Sequence, residues 1–201
     1  MHPDWEYLRS EPGPDMRLFG VRFDYYINRR NNLPLKAIVI DSADSVNVVA
    51  VTPDQKILLV RQFRFGIQAD TIEIPGGLVD PGEDLEQAAR RELREETGYT
   101  GGRWTYLGGI PSNPVFINAT IHHFLAEGVE CTHPTAPDDG ENFHLLTLTL
   151  DELQESLRSG PPIHPHALSG LVRVFDLSAL RTADGRRETA DGRRETADGR
   201  R

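Results

Sequence analysis

Cysteine is nearly absent: Cys131 is the single one in 201 residues. A lone thiol closes no internal disulfide, so the fold must rest on its own core, and a reducing compartment is expected. Long apolar runs are absent too, since nothing approaches the roughly 18 residues that a membrane-spanning helix needs. The start, Met1-His2-Pro3-Asp4-Trp5-Glu6, lacks the basic segment and apolar stretch of a secretory leader. The expectation is a cytoplasmic chain that takes no membrane partner. Positive charge is in deficit, with 22 Lys and Arg against 31 Asp and Glu, a formal charge of -9. That argues against the broad basic face of a dedicated nucleic-acid or anionic-membrane binder. It leaves room for an anionic small substrate, because a bound divalent cation inverts the local field.

Large apolar side chains run out after Leu180. From Thr182 the chain repeats TADGRRE with a period of seven. Each repeat offers one Ala and a Gly, too little apolar surface for a coiled coil or to offset the entropy of ordering. The expected organisation is one domain over residues 1–180 and a disordered tail over 181–201. From Arg181 the tail holds seven Arg against five acids, a net +2, which leaves -11 on the body.

The body alternates short apolar runs with turn signals. Strands are expected at Leu18–Ile27, Ala37–Ile40, Val46–Val51, Lys56–Phe63, Thr71–Ile74, Trp104–Gly108, Thr120–Glu127 and His144–Leu150. The continuous apolar run Ile57-Leu58-Leu59-Val60 reads as a strand covered on both faces. Helices are expected at Leu85–Thr97, Asp151–Arg158 and Pro165–Phe175. This order predicts a layered α/β or α+β domain around a mixed sheet.

The helix from Leu85 carries an anomaly. Asp84 with Gln87 suggests a capping box, and Gly98 stands where a C-terminal glycine belongs. With Leu85 at zero and about 100° per residue, Ala89 and Leu93 define a stripe roughly 80° wide. Glu92 then falls at about -20°, Glu96 at about +20° and Glu95 at about -80°. Two carboxylates thus lie inside the apolar stripe, and a third at its edge. Burying unpaired carboxylates costs several kcal/mol, so these three call for cations. Their oxygens suit Mg²⁺ or Mn²⁺, and a charged face paired to Arg91 and Arg94 is the plainer alternative. The preceding turn, Pro75-Gly76-Gly77, would let backbone approach a metal or phosphate closely.

These residues resemble the Nudix hydrolase family, whose box reads G-x5-E-x7-R-E-U-x-E-E-x-G-U with U bulky and apolar. Gly77, Glu83, Arg91, Glu92, Leu93, Glu95, Glu96, Gly98 and Tyr99 fill it. The resemblance spans about residues 15–178, with N-terminal strands about 15–41 and the box at 77–99. It implies an α/β/α sandwich with a central mixed β-sheet and Mg²⁺-dependent (or Mn²⁺-dependent) hydrolysis of a nucleoside diphosphate linked to another group. By position, Glu92, Glu96 and Glu95 resemble metal ligands, with Glu95 also catalytic, and the Gly76 carbonyl resembles a further ligand. Glu83 and Arg91 resemble a structural ion pair, alongside the structural glycines Gly77 and Gly98.

Outside the box, Arg61-Gln62-Phe63-Arg64 and Glu73-Ile74-Pro75-Gly76-Gly77 are similar to segments of the ADP-ribose pyrophosphatase group. Pro114, 15 residues after Tyr99, is similar to a proline of that group. Gly76 stands where Ala is usual. The resemblance implies ADP-ribose cleaved to AMP and ribose 5-phosphate, with nucleotide sugars, dinucleotides, NADH or triphosphates as alternatives, and a homodimer as the assembly. A non-catalytic nucleotide sensor is the reading from another class, opposed by the intact carboxylates. Arg61 and Arg64 are candidate diphosphate contacts, and Phe23, Tyr25 and Tyr26 candidate base-stacking rings. Glu141, in the acidic segment Asp138-Asp139-Gly140-Glu141, is the expected general base. His122-His123 and His164-Pro165-His166 lack metal-site spacing. Asn118-Ala119-Thr120 matches a glycosylation acceptor by chance, and Cys131 has no activating neighbour.

Overall fold

The computed structural model describes residues 3–16, 19–136 and 142–177; Glu141 and the repeat tail lie outside them. Strands β1 (Trp5–Asp15), β2 (Gly20–Asn28), β3 (Leu33–Asp41) and β9 (Ile117–Asn118) form a four-stranded sheet in the order β1-β2-β3-β9. A second sheet has β4 (Ser45–Val51), β5 (Ile57–Arg64), β8 (Tyr99–Pro111), β10 (Thr120–Cys131) and β11 (Phe143–Leu148) in the order β11-β5-β4-β10-β8. β6 (Ala69–Glu73) adds to β5, and β7 (Gly76–Leu78) adds to β4. β10 runs parallel to β4 while the other pairs in this sheet are antiparallel, so the sheet is mixed.

Period-two alternation along β4 sorts its side chains into two cores. Val46, Val48 and Ala50 pack with Ala88, Ala89 and Leu93 of helix α1 (Leu85–Thr97). Val49 packs on the other side with Leu153 of α2 (Leu150–Ser159) and Ala167 and Leu171 of α3 (Pro165–Leu171). The sheet is therefore covered by helix on both faces, an α/β/α sandwich. The run Ile57–Val60 is buried throughout, with Leu58 in one core and Ile57 and Leu59 in the other. Each such side chain contributes about 1.5–3 kcal/mol on burial. Among the described residues no helix is long and apolar enough to cross a membrane.

Three features depart from the sequence expectations. The N-terminal sheet begins at Trp5, ten residues before the expected start at 15, because β1 pairs antiparallel with β2. Its side chains are mostly exposed and include Pro12 and Gly13, so no apolar alternation announces it. β9 exists because Ile117 and Asn118 pair with Ile40 and Asp41 far upstream. Helix α3 stops at Leu171 and passes into turns before Phe175. A reciprocal capping box forms at α2, between Thr149 and Glu152, while at α1 the Asp84 side chain accepts from the Glu86 and Gln87 backbone N–H groups.

Candidate active site

Helix α1 is fixed at both ends. Asp84 caps its start, and Gly98 closes it in the left-handed conformation at φ 76°. A side chain at Gly98 would overlap the His133 carbonyl oxygen, so both the dihedral and the space require glycine. Between these ends the apolar stripe anchors the helix to β4 and β10, and it carries the carboxylates with it. Glu96 is buried to 4% exposure, the Glu92 side chain is 13% exposed and the Glu95 side chain 30%.

The glycine turn supports these carboxylates from below. β7 pairs with β4 through Gly77↔Val46 and Gly76↔Asn47. The Gly76 N–H donates to Glu96 Oε2 at 3.0 Å. A Cβ on Gly77 would lie 2.5–2.7 Å from the Glu92 carboxylate. A Cβ on Gly76 would overlap the Val46 carbonyl oxygen. That overlap is the physical reason for glycine where the resembling family usually has alanine.

Arg91 is the electrostatic centre. Its Nε and Nη2 fork onto Glu83 at 2.9 Å each, and Nη2 also donates to the Leu78 carbonyl at 3.1 Å. Its Nη1 reaches Glu92 at 2.7 Å and Glu95 at 3.3 Å. The hydrogen bonds to Glu83 raise the arginine's pKa further above its ordinary value, against its partial burial. Arg91 in turn holds the Glu83 carboxyl below the usual range. One guanidinium thus ties the loop before α1 to the helix and neutralises part of the carboxylate cluster.

Among the described residues no three His, Cys, Asp or Glu side chains converge as a ready metal site. Glu92 and Glu95 lean on Arg91, while Glu96 accepts from the glycine turn. The donor set is nevertheless hard oxygen, from one helix beside a backbone turn that admits no side chain, which suits Mg²⁺ or Mn²⁺. Engaging such an ion requires Glu92 and Glu95 to exchange Arg91 for it.

The other expected residues separate. Arg64 forks onto buried Glu73 at 2.6 Å through both nitrogens, with Thr71 Oγ1 donating to the same carboxylate. Burial pushes Glu73 up, but these bonds outweigh it and leave its pKa below the ordinary value. Arg61 lies 3.7 Å from Asp70, and its buried Nε has no hydrogen-bond partner. Pro114 and Tyr26 come together with Trp5 and Phe116 in a groove of about 470 Å³ between the four-stranded sheet and the loop before β9. Phe23 and Tyr25 instead stack against Lys36 and Arg9. The end of β3 and the link to β4 join the groove to the segment after β7. Asp41 accepts from Asn118 in the groove wall, and the Asp44 carbonyl accepts from Val79 just after β7.

Sequence reasoning missed Asp44, His122 and Tyr106. Asp44 Oδ2 lies 3.3 Å from His122 Nε2, and Tyr106 Oη lies 2.8 Å from His122 Nδ1. No spacing signals this chain, because its members sit on three separate elements. It also missed Trp5, whose strand was not anticipated. Glu141 lies outside the described residues.

Comparison with known proteins bears on the family and the fold. The NUDIX domain family model matches residues 41–169. The ADP-ribose pyrophosphatase of Bacillus subtilis is 33% identical over 130 residues, covering 64% of this chain and 70% of that protein. The methanol dehydrogenase activator of Bacillus methanolicus is 33% identical over 129 residues, with coverage of 64% and 70%. A solved structure described as an ADP compounds hydrolase superposes with TM-score 0.69 at 22% identity, over 85% of this chain and 92% of that one. At that identity it speaks for the fold.

Proposed function

The chain belongs to the Nudix family, and we propose on that premise that it hydrolyses the diphosphate bridge of a nucleoside diphosphate derivative, ADP-ribose above all. The observation that carries this reading is a pair of carboxylates seated on a glycine turn: Glu96 bonded to the Gly76 N–H, and Glu92 filling the space over Gly77. Glu92, Glu96 and Glu95, with the Gly76 carbonyl, would hold Mg²⁺. When bound, that ion neutralises phosphate oxygens and lowers the pKa of an attacking water.

The residues of the chain divide the remaining work. Arg91, anchored by Glu83, holds Glu92 and Glu95 on one side of α1 and would give them up to the bound ion. Arg61, half-exposed and held only by a 3.7 Å ion pair to Asp70, is the better placed of the two arginines to meet a phosphate oxygen, since Arg64 is committed to Glu73. The groove of Trp5, Tyr26 and Phe116 offers aromatic surface for the base, with Pro114 on its rim. Glu141 is proposed as the acceptor of the water proton. Water oxygen bonds to one phosphorus, the bridging P–O bond breaks, and the departing phosphate carries the electron pair. AMP and ribose 5-phosphate result from ADP-ribose.

Two further parts of the reading concern assembly and place. The N-terminal sheet exposes Tyr7, Leu8, Leu33, Leu35 and Ile38, apolar surface suited to a second copy of the chain in a homodimer. The lone thiol suits the cytoplasm. Product analysis tests the function: purified protein with Mg²⁺ is offered ADP-ribose, other nucleotide sugars, NADH, dinucleotides and triphosphates. AMP with ribose 5-phosphate as the dominant products supports the proposal. Preferential turnover of another compound moves the substrate, and nucleotide binding without turnover makes the chain a sensor.

A further inference from the structure

We propose that the cavity on the outer flank of α1 is a second binding site, for a phosphate dianion, free or carried on a small molecule. The cavity measures about 430 Å³, and Gln87, Arg90, Arg91 and Arg94 of α1 face Thr100 and Trp104 of β8 across it. Among the described residues its lining contains no carboxylate, in a chain where acids outnumber bases 31 to 22. Arg91 is committed to Glu83, Glu92 and Glu95, and the guanidiniums of Arg90 and Arg94 with an amide and a hydroxyl make the cavity a concentration of hydrogen-bond donors, which is what a phosphate needs.

The donors are held in position. The Arg90 guanidinium stacks 4.5 Å over the Trp104 ring, and Trp104 Nε1 donates to the Gly101 carbonyl at 2.8 Å, fixing the ring. The existing partners are exchangeable. Arg90 pairs with Glu86 at 2.7 Å and Arg94 with Glu95 at 2.9 Å, with Arg90, Glu86 and Arg94 exposed and Glu95 half-buried. Such exposed pairs contribute about 0.2–1 kcal/mol, whereas a guanidinium fork on a phosphate is bidentate and charge-assisted.

The site connects to the cleavage cluster through Glu95, which Arg91 and Arg94 both hold. A dianion in the cavity would draw Arg94 from Glu95, so occupancy alters the charge balance of the cluster. This coupling rests on the role proposed above for Glu95; the binding site does not.

The test is a titration of the full-length chain, in chelator and without divalent metal, with inorganic phosphate and separately with AMP. Binding is read by calorimetry and, on a Trp5→Phe background, by Trp104 fluorescence. Saturable binding is expected, with a fluorescence change, weakened about tenfold or more by Arg90→Gln with Arg94→Gln and unchanged by Glu96→Gln. Equal affinity for both ligands identifies the phosphate alone as the recognised group, and tighter AMP binding identifies a nucleoside phosphate. Arg90→Gln alone provides a milder variant, and circular dichroism establishes that each variant is folded. Absence of saturation in the millimolar range overturns the proposal. So does inorganic-phosphate binding that survives the double substitution or that Glu96→Gln abolishes. Because metal is absent and no turnover is read, failure of the proposed hydrolysis would leave this result standing.

Discussion

His123 should make the fold acid-sensitive in a way that one substitution removes. It is fully buried on β10, with Nε2 2.9 Å from Ser169 Oγ on α3. Ser169 Oγ donates its proton to the His166 carbonyl at 2.8 Å, so it must accept from His123, which places the imidazole proton on Nε2. Nδ1 is then an unpaired acceptor in an apolar core, and a Cβ at Gly170 would lie only 3.2 Å from it. Burial, reinforced by the positive charge of Arg173, lowers the pKa to about 4. In the unfolded chain the group titrates near 6.5. Between these values the unfolded state binds the extra proton, so stability falls as pH drops from about 6.5 towards 4. At about pH 5 the loss is about 2 kcal/mol, and at about pH 7.5 it is negligible. Urea unfolding followed by circular dichroism at both pH values, for wild type and His123→Leu, measures it. His164 and His166, whose pKa values are also lowered chiefly by burial, are present in both proteins and cancel in the comparison. The wild type should lose about 2 kcal/mol more than the variant on acidification. Parallel losses in the two proteins would refute the reasoning.

Gly77→Ala puts a Cβ against the Glu92 carboxylate, the far end of a flexible side chain. It should therefore leave the unfolding midpoint nearly unchanged while lowering kcat about 10²-fold, and equal losses of stability and activity would contradict this. Gly98→Ala has no such escape, because it meets backbone at His133 with φ at 76°. Chemical denaturation should show a loss of at least about 1–2 kcal/mol. Arg64→Met strips the fork from buried Glu73, leaving only Thr71. A loss of about 1–3 kcal/mol at pH 7 is expected, shrinking as Glu73 protonates in acid, since a carboxyl held below its ordinary pKa stabilises only while ionised.

What the sequence discloses is what local chemistry decides. Asp84, the Leu85–Ala89–Leu93 stripe and Gly98 define α1 within one continuous segment, and the structure returns Leu85–Thr97. The same stripe exposes the oddity of Glu92 and Glu96, because a carboxylate among apolar residues is visible in angular terms alone. What stays hidden depends on partners distant in the chain. β1 is a strand only because β2 lies beside it, and its Pro12 and Gly13 argue locally against one. Arg64 has the look of a phosphate ligand until β5 and β6 pair and bring Glu73 beneath it. Asp44 and His122 are 78 residues apart and meet only through the parallel pairing of β4 and β10.

The central claim is that the carboxylates of α1 carry the chemistry rather than merely the fold. The measurement that tests it most directly is the rate of ADP-ribose cleavage by wild type and by Glu96→Gln, which keeps the shape and an oxygen facing the Gly76 N–H. Both proteins are taken through an Mg²⁺ titration, with circular dichroism and unfolding midpoints alongside. The account predicts a folded variant with kcat/KM lower by about 10²–10³-fold and a weakened metal dependence. A folded variant that cleaves ADP-ribose at the wild-type rate, with the same response to Mg²⁺, would contradict it.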